Sequence, residues 1–318
     1  MTIINCAFID RYKLDDPELL SLKNVNDKFY ELMGSGLISE YLPILRPIDA
    51  HVINEMKDVM AKFRSILLEK LKQHKDIYTP GIMRDFTDFV IQAKEEAIKD
   101  DLAIAKHLTD YNLMMIVNDL FAAGTDTSQT TLRWAILALI NYPAIQEKVH
   151  NEIAENIGER MPTHEDMKVL PYTNAFLKEV LRFWPAAPIG LEHFTTVDTE
   201  LGGFKVPKKT SVYFNLYAIN HDPKYWKNPD VFDPTHFLDS NGQLITGRIE
   251  SFVTFGIGSR ACIGEKLAYV NAFLIIVRML QTLHFQFPEG KTSSDLSPLN
   301  IVLVLLPKDT PIVVKRRK

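Results

Sequence analysis

The residues most able to do chemistry stand together near the C-terminus, in the run Phe255-Gly256-Ile257-Gly258-Ser259-Arg260-Ala261-Cys262-Ile263-Gly264. One cysteine sits at the tip of a glycine-rich turn, two residues after an arginine. A helix-forming run follows at once, Glu265 to Ala268 and then Phe273 to Leu280. A thiolate there would lie at a helix N-terminus, where the dipole and free backbone N–H groups favour anionic sulfur. Gly256 and Gly258 permit a tight turn and a close approach of backbone to a flat partner. Arg260 supplies a fixed cation for a carboxylate of that partner. Such a sulfur, with such a cation nearby, meets the needs of an axial iron ligand in a macrocycle. The alternative is a buried structural cysteine in a glycine loop.

A second unusual stretch is Phe121-Ala122-Ala123-Gly124-Thr125-Asp126-Thr127-Ser128. Glycine inside a helix costs about 1 kcal/mol against alanine. The hydroxyls of Thr127 and Ser128 compete for carbonyls four residues back, Ala123 in the case of Thr127. Together these weak choices predict a local widening that admits water or a ligand. Ala123, Gly124 and Thr127 share one face, so two small residues beside a hydroxyl form a shallow hollow. A close helix–helix contact, with Thr127 bonded to its own backbone and Asp126 solvated, explains the same residues. Glu179 and Arg182 share a helix face at i,i+3. As an exposed pair they would contribute only about 0.2–0.5 kcal/mol. The other histidines show no metal-site spacing such as HExxH.

These groups must be held by helices. Apolar positions recur at three- and four-residue spacing over 16–34, 48–75 and 83–98. The longest predicted helix runs from Thr109 to Asn141, before Pro143. Others are predicted from Pro143 to Ile157, closed by Gly158, and from Met167 to Phe183, stopped by Pro185 and Pro188. Residues 189–215 alternate between turn signals at Gly202-Gly203 and Pro207-Lys208-Lys209. They read as a small sheet, with a strand from Thr210 to Phe214. A loop-rich segment over 219–254 leads into the cysteine turn. A helix from Gly264 to Leu283 and a buried strand over 300–306 complete the reading. The fold class is mainly α with a small β-sheet, and 1–318 reads as a single domain.

The chain has 318 residues, 46% hydrophobic and 24% charged, which is ample for a large core. Its net charge of −4 implies no general attraction to nucleic acid. The two cysteines, Cys6 and Cys262, are too few for a disulfide framework and suit a reducing compartment. No apolar run reaches the roughly 18 residues of a spanning helix. The first residues lack the pattern of a secretory signal. The basic end, Lys315-Arg316-Arg317-Lys318, reads as a solvated tail, or as a contact for anionic lipid or a redox partner.

The cysteine run fits the pattern F-x-x-G-x-R-x-C-x-G at every fixed position, and so resembles the haem-ligand loop of the cytochrome P450 family. The stretch 123–128 matches the A-G-x-D-T-S pattern of that family's oxygen-activating helix. Glu179 and Arg182, followed by Phe183-Trp184-Pro185, match its E-x-x-R motif, in the expected order along the chain. The resemblance implies an N-terminally truncated cytochrome P450 fold, roughly its C-terminal two thirds. The family's membrane anchor, first sheet and early propionate-binding helix find no counterpart. It implies haem b, with Cys262 as the axial iron ligand. Ala123, Gly124, His193, Phe255, Gly256, Arg260 and Gly264 would lie around the cofactor. His193 would meet a propionate, unless it is an ordinary surface or core histidine. Asp126 and Thr127 would carry the catalytic protons. Glu179 and Arg182 would form a buried ion pair joined by His236, where the family usually has arginine. Ala123, Ala187, Ile189 and Leu191 would touch the substrate.

The implied activity is that of a haem-thiolate monooxygenase acting on a lipophilic small molecule. The expected partners are dioxygen and NADPH-cytochrome P450 reductase, with cytochrome b5 as a second electron donor, and no nucleic acid. Leu177 to Arg182, Pro185 to Pro188 and Cys262 to Glu265 resemble the steroid 17α-hydroxylase/17,20-lyase group, with xenobiotic-oxidising relatives as the alternative. Membrane attachment at the cytoplasmic face of the endoplasmic reticulum follows for the full-length family member only. An inactive haem-binding remnant and an all-helical scaffold are the competing readings, and the scaffold explains none of the motifs.

Overall fold

The structure is a computed structural model and describes residues 13, 15–34, 37–299 and 304–317. It divides into two compact units, Met1–Asp126 and Thr127–Lys318.

In the first unit, α1 (Pro17–Gly34) starts where the Asp16 carboxylate accepts the backbone N–H of Glu18 at 2.8 Å. Next come α2 (Arg46–Ile77) and α3 (Phe86–Lys99), and α4 (Asp110–Asn141) begins in this unit. Asp85 caps α3 by accepting the N–H of Asp88 at 2.9 Å. Thr109 caps α4 through the N–H of Asn112. Leu22, Phe63, Leu67, Leu71, Ile91, Leu113 and Phe121 form the apolar core. The end of α2 is tied to the start of α3 by His74 and Asp85, 2.6 Å apart.

The second unit holds the rest of α4, followed by α5 (Pro143–Asn156) and α6 (Pro171–Phe183). Then come β1 (His193–Phe194), β2 (Thr199–Leu201), β3 (Phe204–Val206) and β4 (Ser211–Val212). The short α7 (Leu216–Asn220), the long α8 (Glu265–Thr282), β5 (Leu283–Gln286) and β6 (Val313–Arg316) complete it. The core gathers Trp134, Ala138, Val149, Ile153, Phe176, Val180, Phe273 and Val277 from four helices. The Trp134 and Trp184 rings stack with centroids 4.6 Å apart. Trp134 donates to the Leu305 carbonyl at 2.7 Å.

Most helices agree with the sequence pattern. α6 starts four residues later than expected, because Pro171 occupies its first position. A separate 3₁₀ turn spans His164–Lys168, held by a Thr163/Asp166 capping box. The small sheet is in fact two antiparallel ladders, β1 with β4 and β2 with β3. The strand expected at Thr210–Phe214 shortens to Ser211–Val212. Of the strand expected over 300–306, residues 300–303 lie outside the described residues and 304–306 are not strand. Leu305 instead donates its N–H to the Ala186 carbonyl at 3.0 Å.

The basic end is also corrected. Val313–Arg316 pairs with β5, and Arg317 donates to both oxygens of Glu147, at 3.0 and 3.2 Å. It is therefore a docked strand rather than a solvated tail. Among the described residues no helix is long and apolar enough to cross a membrane.

Candidate active site

The cysteine turn is set by backbone geometry. The N–H of Gly256 donates to the Val253 carbonyl at 2.8 Å. The N–H of Cys262 donates to the Phe255 carbonyl, also at 2.8 Å, and folds the cysteine back over the start of the loop. Gly256 and Gly258 have φ of 73° and 75°, in the left-handed region that favours glycine. A β-carbon on Gly256 would lie 3.7 Å from the Ala261 Cα, so the loop is closely wrapped there. Cys262 is a free, exposed thiol two residues before Gly264, which caps α8. This is unusual for cysteine, which is among the most often buried residues.

Two basic side chains are left unspent among the described residues. Arg260, in a 3₁₀ turn over Gly258–Arg260, is exposed and makes no ion pair among the described residues. His193 lies on β1 opposite Val212, its ring edge-on to Phe214 at 5.3 Å. Its ring nitrogens make no hydrogen bond among the described residues. A soft exposed thiol, a glycine turn and a free guanidinium suit an iron porphyrin with acidic side groups.

Behind the turn lies a buried charge cluster. Glu179 and Arg182 are both 0% exposed and form two parallel hydrogen bonds, each 2.7 Å. The same Glu179 carboxylate accepts the Asp233 N–H at 2.9 Å and faces His236 Nδ1 at 3.1 Å. Arg182 also donates to the carbonyls of Asn220 at 2.9 Å and Pro229 at 3.0 Å. His236 Nε2 lies 2.6 Å from the Lys227 carbonyl. Both ring nitrogens thus face acceptors, and only the imidazolium can donate to both. The hydrogen bond to Glu179 holds the His236 pKa above its ordinary value.

Asn220 was not legible as a site residue. Fully buried, it offers its carbonyl to Arg182, accepts the Val253 N–H at 3.1 Å, and donates to Thr254 Oγ1 at 3.0 Å. Thr254 Oγ1 donates in turn to the Leu181 carbonyl at 2.9 Å. One residue therefore connects the charge pair, through its backbone carbonyl, to the two residues that open the cysteine turn, through its side-chain amide. A polar Asn-His-Asp run after the apolar Leu216–Ile219 was the available signal.

The stretch 121–128 lies in α4, which runs through it without a break. Thr125 and Thr131 bond back to the carbonyls of Phe121 and Thr127, at 2.6 and 2.9 Å. Ser128 Oγ is buried without a partner. Asp126 accepts from Asn26 Nδ2 at 2.9 Å, and burial raises its pKa. The Asn26 Oδ1 atom is buried and unpartnered. Ala123 is exposed, while Gly124 and Thr127 are half-buried.

Ala187 and Ile189 are half-buried and Leu191 is exposed, on a strap that turns at Gly190. The strap is pinned where Tyr217 donates to the Pro188 carbonyl at 2.8 Å.

A cytochrome P450 family model matches residues 1–314. The chain is 36% identical over 298 residues to cytochrome P450 1A1 of Dicentrarchus labrax, covering 93% of this chain and 57% of that protein. To cytochrome P450 1A1 of Homo sapiens it is 38% identical over 302 residues, 94% of this chain and 59% of the relative. Cytochrome P450 1A5 of Gallus gallus is 36% identical over 298 residues, 92% and 56% of the two chains. The chain thus spans 56% to 59% of the length of these relatives. Their 1A names correct the expected likeness to the steroid 17α-hydroxylase group to the family level. The stretches that suggested it lie in the ion-pair helix, the strap after it and the cysteine turn.

Proposed function

Because the chain belongs to the cytochrome P450 family, we propose that it serves as a haem-dependent monooxygenase on lipophilic small molecules. The observation that carries this reading is the exposed Cys262 thiol in a glycine turn anchored to a buried charge cluster. Proteins of the family bind haem b through a cysteine thiolate. When bound, it activates dioxygen, and the thiolate favours O–O cleavage. The overall reaction consumes R–H, O₂, two electrons and two protons, and gives R–OH and water.

Cys262 would hold the iron, and Arg260 and His193 would meet the propionates. Phe255, Gly256 and Gly264 would shape the turn against the ring, and the small Ala123 and Gly124 would leave it room. Asp126 would receive and release the catalytic proton, and burial raises its pKa from its ordinary value. Thr127 would pass it on through its hydroxyl. Ala123, Ala187, Ile189 and Leu191 would form the apolar wall for a substrate, either a steroid or a foreign organic compound. Electrons would come singly from NADPH-cytochrome P450 reductase or cytochrome b5, on the cytoplasmic face of the endoplasmic reticulum.

The test is the absorption of the reduced, carbon-monoxide-bound protein. The wild-type chain gives the thiolate-type band and Cys262→Ser loses it. A band unchanged by Cys262→Ser refutes the assignment. Absence of haem uptake by the wild type favours a remnant without activity.

A further inference from the structure

On the outer side of α6, Lys178 extends its ammonium into a box of aromatic rings. Nζ lies 5.2 Å from the Phe252 ring centre, 5.5 Å from Tyr269 and 5.8 Å from Phe237. These rings come from a loop, from α8 and from the 3₁₀ turn at Pro234–Phe237. Among the described residues no carboxylate forms an ion pair with Lys178. Its charge lies against ring faces, and Glu265 acts on it only through space, without a direct ion pair.

Lys178 also opens into a cavity of about 380 Å³ lined by Phe252, Phe255, Ile263, Glu265, Lys266 and Tyr269. Such a volume lies within the roughly 300–1,000 Å³ of small-molecule sites. Two ammonium groups against one carboxylate leave the lining with an excess positive charge. The Tyr269 hydroxyl is already committed to the Asn174 carbonyl at 3.1 Å.

We propose that this cavity binds a small carboxylate with an aromatic body, its anion on Lys178 and Lys266 and its ring against Phe252 and Tyr269. The ligand supplies the direct ion-pair partner that Lys178 lacks among the described residues and covers apolar surface of the lining. Burial pushes the Lys178 pKa down, with Glu265 acting in the other direction. An anion in the cavity opposes that burial effect. Every lining residue lies in the second unit; Phe255 is shared with the cysteine turn, but the proposed contacts at Lys178, Lys266, Phe252 and Tyr269 use none of the residues assigned to the haem.

Calorimetric titration of the purified chain tests it with 2-naphthoate, the neutral isostere 2-naphthamide, and acetate. The expected result is binding of 2-naphthoate at least about tenfold tighter than either other probe, the size of a charged hydrogen bond. Lys178→Met removes that preference and Lys178→Arg keeps it. The comparison of 2-naphthoate with 2-naphthamide on the wild type needs no variant to fold. Equal binding of 2-naphthoate and 2-naphthamide, or full affinity in a folded Lys178→Met, overturns the anion contact. Acetate as tight as 2-naphthoate overturns the aromatic contact, and no measurable binding overturns the proposal outright.

Discussion

At the scale of single residues, Glu179 gathers three partners at one point. It answers Arg182, His236 and a backbone N–H with one buried carboxylate. Removing one partner of a buried pair leaves the other charge uncompensated, at a cost of about 3–5 kcal/mol. Glu179→Ala and Arg182→Ala are therefore expected to abolish haem incorporation, measured as pigment per purified protein. A normal pigment yield in either variant contradicts the structural role. His236 gives the same cluster a pH dependence. Its folded pKa is raised above the ordinary value of 6.5, so its stabilisation is complete below about that pH. It is then lost as pH rises through the higher folded value. The melting temperature of the wild type should fall across that window, while His236→Gln shows no such fall. Equal pH profiles would show that the imidazolium adds nothing.

At the scale of elements, the decisive join is between α6 and the cysteine turn. Asn220 spans it with hydrogen bonds to Val253 and Thr254, and its carbonyl takes an Arg182 N–H. Asn220→Ala keeps the carbonyl but strands the Val253 N–H. Each buried group left unmet costs about 1–3 kcal/mol. The expected outcome is a loss of about that size in denaturant unfolding, with faster haem dissociation. A stable variant with wild-type dissociation would place the anchor elsewhere. The same scale explains the corrected boundaries. A proline fixes the start of α6, and pairing with β5 plus the Arg317–Glu147 contact turns a basic end into β6. A run of charges reads as solvated until a neighbouring strand offers backbone partners.

For the molecule as a whole, burial is uneven, so protection from solvent should be uneven too. Almost all of α6 is buried, whereas β2 is fully exposed and β3 nearly so. Native-state hydrogen exchange should find its slowest amides in α6 and the Trp134–Ile140 part of α4, with β2 and β3 exchanging orders of magnitude faster. Uniform exchange across these segments would mean that the charge cluster does not organise a stable centre.

The sequence by itself determined the local parts. The order of helices, the glycine turn carrying Cys262 and the pairing of Glu179 with Arg182 depend on spacing between neighbours, and spacing survives in a string of letters. The tertiary structure decided what those parts meet: the burial of Glu179 and Arg182, the two acceptors facing His236, the bridge through Asn220 and the docking of the basic end. Such contacts join residues far apart along the chain. Their strength depends on exclusion from water, a property that no local spacing encodes.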